Sequence, residues 1–252
     1  MENYTDINAK TIDSWADEGW EWSVPVTREQ FVQAREGRWS IVLTPLKPVP
    51  QGWFPDMRGC RVLGLASGGG QQMPILTAAG AQCTVLDYSQ RQLERERMVA
   101  RREGYDIELV RADMTKPLPF PDGSFDLIVN PVATCYIEKV GPLWRECFRV
   151  LRPGGVLLAG FDLPVNYAVG QDGVTIQNHL PYNPLLDKEI LKRDIERNDG
   201  VQFSHTVEEQ LGGMLHAGFA LTDLYEDTWP EGPLFELGIS AFMAVRAVKP
   251  DR

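Results

Sequence analysis

At 252 residues, 43% of them hydrophobic, the chain is long enough to bury one substantial core and is expected to form a single domain with embellishments. A formal charge of −10 argues against a nucleic-acid partner, because proteins that hold a phosphate backbone carry a basic footprint. Four cysteines without CxxC spacing and three histidines without zinc-ligand spacing give no disulfide framework and no metal site, and no apolar run approaches the ~18–20 residues of a membrane span. A cytoplasmic protein with no membrane partner is therefore expected.

Residues 1–58 read as a separate N-terminal extension that carries five of the seven tryptophans: Trp15, Trp20, Trp22, Trp39 and Trp53. Thr27 and Gln30 form a capping box and Gly37 a stop, which predicts a helix near 28–36. Pro45, Pro48, Pro50 and Pro55 then carry the chain forward in extended form.

From residue 61 the pattern alternates between strand and helix. Val62, Leu63 and Leu65 suit a central parallel strand, apolar on both faces. A helix follows near 71–79 with Pro74 in its first turn, then a strand at 83–87, a helix at 90–103 closed by Gly104, and strands at 107–112 and 125–130. Arg91, Arg95, Arg97, Arg101 and Arg102 interleave with Glu94, Glu96 and Glu103, the pattern of a solvated helix face. Val140, Leu143, Trp144, Cys147, Val150 and Leu151 recur at helical spacing, and Pro153-Gly154-Gly155 turns the chain into a strand at 156–161. This order predicts an α/β fold with a doubly wound, Rossmann-like sheet.

Residues 162–205 form an insertion, with a hairpin expected to turn at Asp172-Gly173 and a helix within 184–198. Thr206 and Glu209 cap a further helix whose Val207, Leu211, Met214 and Leu215 are expected to face the core. Segments 219–226 and 236–247 complete the sheet as an antiparallel pair at one edge.

The chemistry is concentrated around RVLGLASGGGQQ at 61–72. A strand running into Gly68, Gly69 and Gly70 lets a ligand approach the backbone closely. The dinucleotide fingerprint needs a small residue at its third glycine position; Met73 stands there, which counts against NAD or FAD. Asp87 ends the second strand 19 residues after Gly68, placed to hold ribose hydroxyls, and Asp113 follows the third strand, placed to accept from an adenine amino group with Met114 against the ring.

With those residues in order, and with RVLRPGG at 149–155 after FDLIV, the chain resembles the class I S-adenosylmethionine-dependent methyltransferases, particularly the small-molecule, type 11-like branch. The resemblance covers residues 60–161 well and the last 45 in outline. It implies a seven-stranded, mostly parallel sheet in the order 3-2-1-4-5-7-6, a methyltransferase domain over 59–252, and lids from 1–58 and 162–205. It further implies S-adenosylmethionine as cofactor and a small-molecule acceptor. Ala66, Ser67 and Gly68 would lie along the methionine part, Asp87 and Tyr88 at the ribose, Asp113 and Met114 at the adenine, and Asn130 with Pro131 beside the sulfonium.

Two departures stand out. Gly64 occupies the family's usual acid position and Ala66 its usual glycine. Gln71 or Gln72 is the candidate substitute for the missing acid, and Ala66 can stand in the glycine's place if its φ is negative, with the backbone lying slightly differently. For catalysis, Tyr136 is either substrate-facing or a packing residue, and His205 either a general base or a helix-flanking histidine. Asn130-Pro131-Val132 lacks the second proline and the aromatic of the amino-methylating DNA enzymes. The alternatives that remain are a protein or RNA methyltransferase and a cofactor-binding module without catalysis.

Overall fold

The computed structural model describes residues 3–170, 172–173 and 175–251. Its seven strands are β1 (Arg61–Leu65), β2 (Gln82–Asp87), β3 (Glu108–Arg111), β4 (Phe125–Asn130), β5 (Leu151–Asp162), β6 (Ala220–Asp227) and β7 (Phe242–Val248). They lie in the order β3-β2-β1-β4-β5-β7-β6, as the resemblance implied. β1 to β5 pair in parallel, and β7 runs antiparallel to both β5 and β6. The last strand is shorter than expected from sequence: Pro233–Glu236 is a helical turn, and residues 237–241 precede the ladder.

Parallel strands need crossovers, and the sequence supplies helices for them: α3 (Gln72–Ala78), α4 (Gln90–Glu103) and α5 (Val140–Val150). Alternation along β1 divides the core. Leu63 and Leu65 join the layer under α5, with Trp144 and Cys147, while Val62 joins the opposite layer with Met73 and Leu76. The RVLRPGG string is architectural. Arg149 donates to the carbonyls of Leu118 and Phe120 and to Glu146 and Asp122, and Arg152 with Arg61 brackets Asp126 at the end of the sheet remote from the glycine loop. These two guanidinium partners hold the Asp126 carboxyl down at about 2.

The extension contains a helix that sequence periodicity missed, α1 (Tyr4–Asp17), followed by α2 (Arg28–Arg35) with the expected Thr27–Gln30 capping box. α1 lies against α4, and its carboxylates hold the turn after β2: Tyr88 Oη donates to Asp6 at 2.6 Å, Ser89 Oγ to Asp13 at 2.5 Å and the Arg91 guanidinium to Asp17 at 3.1 Å. Residues 41–44 then strap across the sheet so closely that a Cβ at Gly160 would meet the Leu43 carbonyl at 2.3 Å.

In the insertion, Val165–Ala168 forms a helical turn, α6, and Lys188–Glu196 a helix, α7. Of the expected hairpin, residues 171 and 174 lie outside the described residues; among those described, Val169 and Ile176 form an antiparallel bridge. The helix after Thr206 carries a π turn over Glu208–Gly212 before its α segment, Gly213–Ala217. The extra residue rotates the buried face: Gln210 and Met214 go inside, while Val207 and Leu215, both expected in the core, are 44% and 54% exposed. Glu96 departs from the solvated face assigned to its helix. It is fully buried, its Oε1 accepts from the Gly70 N–H at 2.8 Å, and burial pushes its carboxyl up to about 8.

Candidate active site

The carboxyl ends of β1, β2, β4 and β5 open onto a cavity of about 880 Å³, near the top of the ~300–1,000 Å³ range of small-molecule sites. Ala66, Ser67, Gly68, Gln71, Gln72 and Asp87 form its sheet-side wall. Trp15, Trp20 and Trp22 of the extension, the 42–45 strap, and Asn166, Tyr167 and Gln202 of the insertion form other sides. Trp39 and Trp53 instead pack in the core layer beneath the strap.

The glycine loop is tightly set. Gly69 and Gly70 have φ of +94° and +76°, and a Cβ at Gly68 would fall 2.8 Å from Asp87 Oδ2. Ala66 also lies in the left-handed region, at φ +47°, rather than at a negative φ. The loop therefore keeps the backbone shape that a glycine would adopt there, at a steric cost on the order of 1–2 kcal/mol.

Asp87 is 8% exposed. Its Oδ2 accepts from the Gly68 N–H at 3.0 Å and its Oδ1 from the Ser89 N–H at 2.9 Å, while burial raises its carboxyl to about 6. A second, smaller cavity of about 60 Å³ lies beneath α1 and is shared by Asp87, Tyr88, Asp113 and Met114. The two carboxylates on which a nucleoside reading depends thus face one cleft. Thr5, Asn8, Ala9 and Ile12 of α1 form the cover of that small cleft.

The absence of an acid at position 64 has a steric cause. A Cβ there would lie 2.8 Å from Met73 Cγ and 2.9 Å from its Sδ, so the fully buried Met73 fills the space an acid would need. The glutamines expected to compensate hold the extension instead. Gln71 Nε2 donates to the carbonyls of Glu21 and Val24, and Gln72 Nε2 to that of Val42 while its Oε1 accepts from Ser67 Oγ.

Two expected site residues line neither cavity. Asn130 is fully buried and donates to the Leu65 carbonyl at 2.7 Å, joining β4 to β1, and only its neighbour Pro131 lines the cavity. His205 is 3% exposed with Nε2 between the carbonyls of Thr134 and Ile137, at 3.0 and 2.9 Å, and it fastens the loop after β4. Desolvation lowers its pKa, so it stays neutral. Tyr136 does line the cavity, within 6.3 Å of the Trp15 ring, and burial raises its hydroxyl well above the usual range.

Sequence reading missed Asp162. It ends β5 as Asp87 ends β2, lies on the cavity wall at 6% exposure, and its Oδ1 has no hydrogen-bond partner. Burial lifts its carboxyl to about 6, partly offset by the Tyr167 hydroxyl beside it. The signal in the sequence was an acid directly after a core strand, without a motif around it.

A sheet of this order, with a glycine loop and an acid at the tip of the second strand facing one cleft, defines a class I S-adenosylmethionine-dependent methyltransferase. Residues 63–159 match the family model described as a methyltransferase domain. The chain is 43% identical over 249 residues to the uncharacterized methyltransferase YbaJ of Bacillus subtilis (strain 168), covering 96% of this chain and 97% of that one. It is 29% identical over 168 residues to the sterol 24-C-methyltransferase ERG6B of Gibberella zeae, where the match spans 65% of this chain and 40% of that protein. Among solved structures, an S-adenosylmethionine-dependent methyltransferase from Mesorhizobium loti superposes with a TM-score of 0.62 at 26% identity, over 79% of this chain and 94% of that one. The chain belongs to the S-adenosylmethionine-dependent methyltransferase family, and S-adenosylmethionine is its cofactor.

The site suits that cofactor. The Cβ-free loop at Gly68–Gly70 admits close backbone approach, and Asp87, whose oxygens take backbone N–H groups and no cation, keeps lone pairs for hydroxyl donors. No group of residues suited to a metal ion occurs among the described residues. Nor is any of their helices long and apolar enough to cross a membrane.

Proposed function

We propose that this enzyme methylates a small molecule held in the 880 Å³ cavity. The observation that carries the reading is the size and lining of this cavity. The glycine loop forms one wall, and side chains from the extension, the strap and the insertion form others, around a partly open space of the size usual for small-molecule sites. The names of relatives such as the sterol 24-C-methyltransferase agree with a small acceptor.

When bound, S-adenosylmethionine supplies an electrophilic methyl group and an already activated leaving group. The chain's task is then alignment and exclusion of water, which can lower a barrier by on the order of 7–11 kcal/mol. In this reading Asp87 takes the ribose hydroxyls, and Asp113 with Met114 takes the adenine beneath α1. The Ser67–Gly70 backbone borders the methionine arm, and Trp20, Trp22 and Tyr136 bound the acceptor space.

Transfer of a labelled methyl group from S-adenosylmethionine into a bacterial extract, followed by size fractionation, tests the substrate class. Label should collect in the small-molecule fraction. Label confined to the protein or RNA fraction overturns the small-molecule reading. Isothermal titration with S-adenosylhomocysteine tests the cofactor assignments: Asp87→Ala should weaken binding by ten- to a hundredfold.

A further inference from the structure

The cavity wall carries five carboxylates, Glu18, Glu21, Asp87, Asp162 and Glu231, and no lysine, arginine or histidine among the described residues. Asp87 is committed to the glycine loop and the turn after β2. Asp162 is not committed in this way. The Tyr167 hydroxyl and the Asp162 backbone N–H support the carboxylate, but its Oδ1 is buried without a hydrogen-bond partner, and the titratable groups facing it, Cys135, Tyr136 and Tyr167, are all held in their neutral forms by burial. A buried carboxylate with no counter-ion is costly unless a ligand supplies one. The tryptophan and tyrosine rings around it offer the negative faces that attract an ammonium group. A carboxylate or phosphate on the acceptor would meet like charge and no side-chain cation among the described residues.

We propose that the acceptor is a small arylalkylamine that enters as its ammonium ion, with Asp162 as counter-ion and proton acceptor. This rests on the methyl-transfer reading and names its substrate class. The ammonium proton passes to the Asp162 carboxylate, freeing the nitrogen lone pair. The nitrogen–carbon bond to the methyl forms as the carbon–sulfur bond breaks, and the electron pair of that bond stays on sulfur as a neutral thioether. The proton on Asp162 is then released to water. The aromatic walls set the acceptor's other end: Trp15 packs against Trp20 and Tyr136 at centroid distances of 5.1 and 6.3 Å, so together they form one aromatic face on which a flat ring on a short alkyl chain can lie.

The test is isothermal titration of the full chain saturated with S-adenosylhomocysteine, using tryptamine and phenethylamine beside their neutral and anionic counterparts, tryptophol and indole-3-propionate. At least one amine is expected to bind tenfold or more tighter than tryptophol, and the carboxylate not at all. In Asp162→Asn that preference should collapse to within threefold, with S-adenosylhomocysteine affinity unchanged; Asp162→Ser serves as the second variant should Asn prevent folding. Amines that bind no better than the alcohol, or fail to bind, overturn the proposal, as does a preference that survives loss of the carboxylate. Failure of S-adenosylhomocysteine itself to bind would instead count against the methyltransferase reading, so the two failures are separable.

Discussion

Ala66 and Gly64 are two halves of one adjustment at the end of β1. With Met73 turned into the space over residue 64, the strand runs on without a side chain there, and Ala66 takes the left-handed turn that starts the glycine loop. Restoring a side chain at 64 forces Met73 to move within a packed layer, so Gly64→Ala should cost about 1–3 kcal/mol in a urea titration. Trimming the obstacle should recover much of that loss. The Gly64→Ala/Met73→Ala pair should show a favourable coupling of at least about 1 kcal/mol in a double-mutant cycle, and strict additivity would refute the contact. Ala66→Gly relieves the strained φ but frees the unfolded chain, two effects of similar size. Its stability should stay within about 1 kcal/mol of the parent, with cofactor affinity preserved.

α1 shows how one element can build a site without carrying a motif. Asp13 accepts from the Ser89 hydroxyl and from the Arg91 N–H, at the N-terminus of α4 where a negative charge is favoured. Those contacts fix the Asp87-Tyr88-Ser89 turn from outside. Asp13→Ala should therefore loosen α1 before the rest of the fold. Hydrogen exchange over residues 4–17 is expected to accelerate by about tenfold or more, as loss of 1.5–3 kcal/mol of charge-assisted hydrogen bonding implies, while α5 and the central strands keep their protection. Uniform acceleration throughout the chain would contradict a local role. The same helix marks the limit of reading the sequence. The strands and α3 to α5 announce themselves through apolar periodicity and glycine stops, and so does the cofactor loop. α1 buries Thr5, Asn8, Ala9, Thr11 and Ala16, small or polar residues that leave no apolar stripe. Asn8 is held there by the Val201 N–H and the carbonyls of Val201 and Tyr136, partners 128 or more residues away. His205 and Asn130 misled for the converse reason. Their residue types suit chemistry, but backbone carbonyls opposite them accept from the Asn130 amide N–H and the His205 ring N–H, and no local pattern reveals that.

Across the whole molecule, the buried acids give stability a pH dependence opposite to the usual one. Asp87 and Asp162 rise to about 6 and Glu96 to about 8, each chiefly through desolvation of the charged form. Between the unfolded carboxyl range, near 4, and those values, the folded chain holds protons that the unfolded chain has released. Stability therefore falls as pH climbs through that window. Glu96 dominates because its window is widest; at about 1.4 kcal/mol per unit it alone contributes on the order of a few kcal/mol between pH 4.5 and 8. Opposing groups act lower on the scale. Asp126, Glu146 and Asp227 are depressed and lose their contribution in stronger acid, and neutral His205 loses its own as pH drops below 6.5. The raised acids outnumber the opposing groups above pH 5, so stability is greater on the acid side of neutrality. Thermal melts of the cofactor-free chain should show Tm falling by about 5–10 °C from pH 5.5 to pH 8.5, at about 2–4 °C per kcal/mol for a chain of this size. Glu96→Gln keeps an oxygen for the Gly70 N–H and removes the titration, so it should flatten at least half of that fall. A melt series in which Glu96→Gln tracks the parent at every pH would show that the carboxylate beneath the glycine loop titrates no differently folded than unfolded.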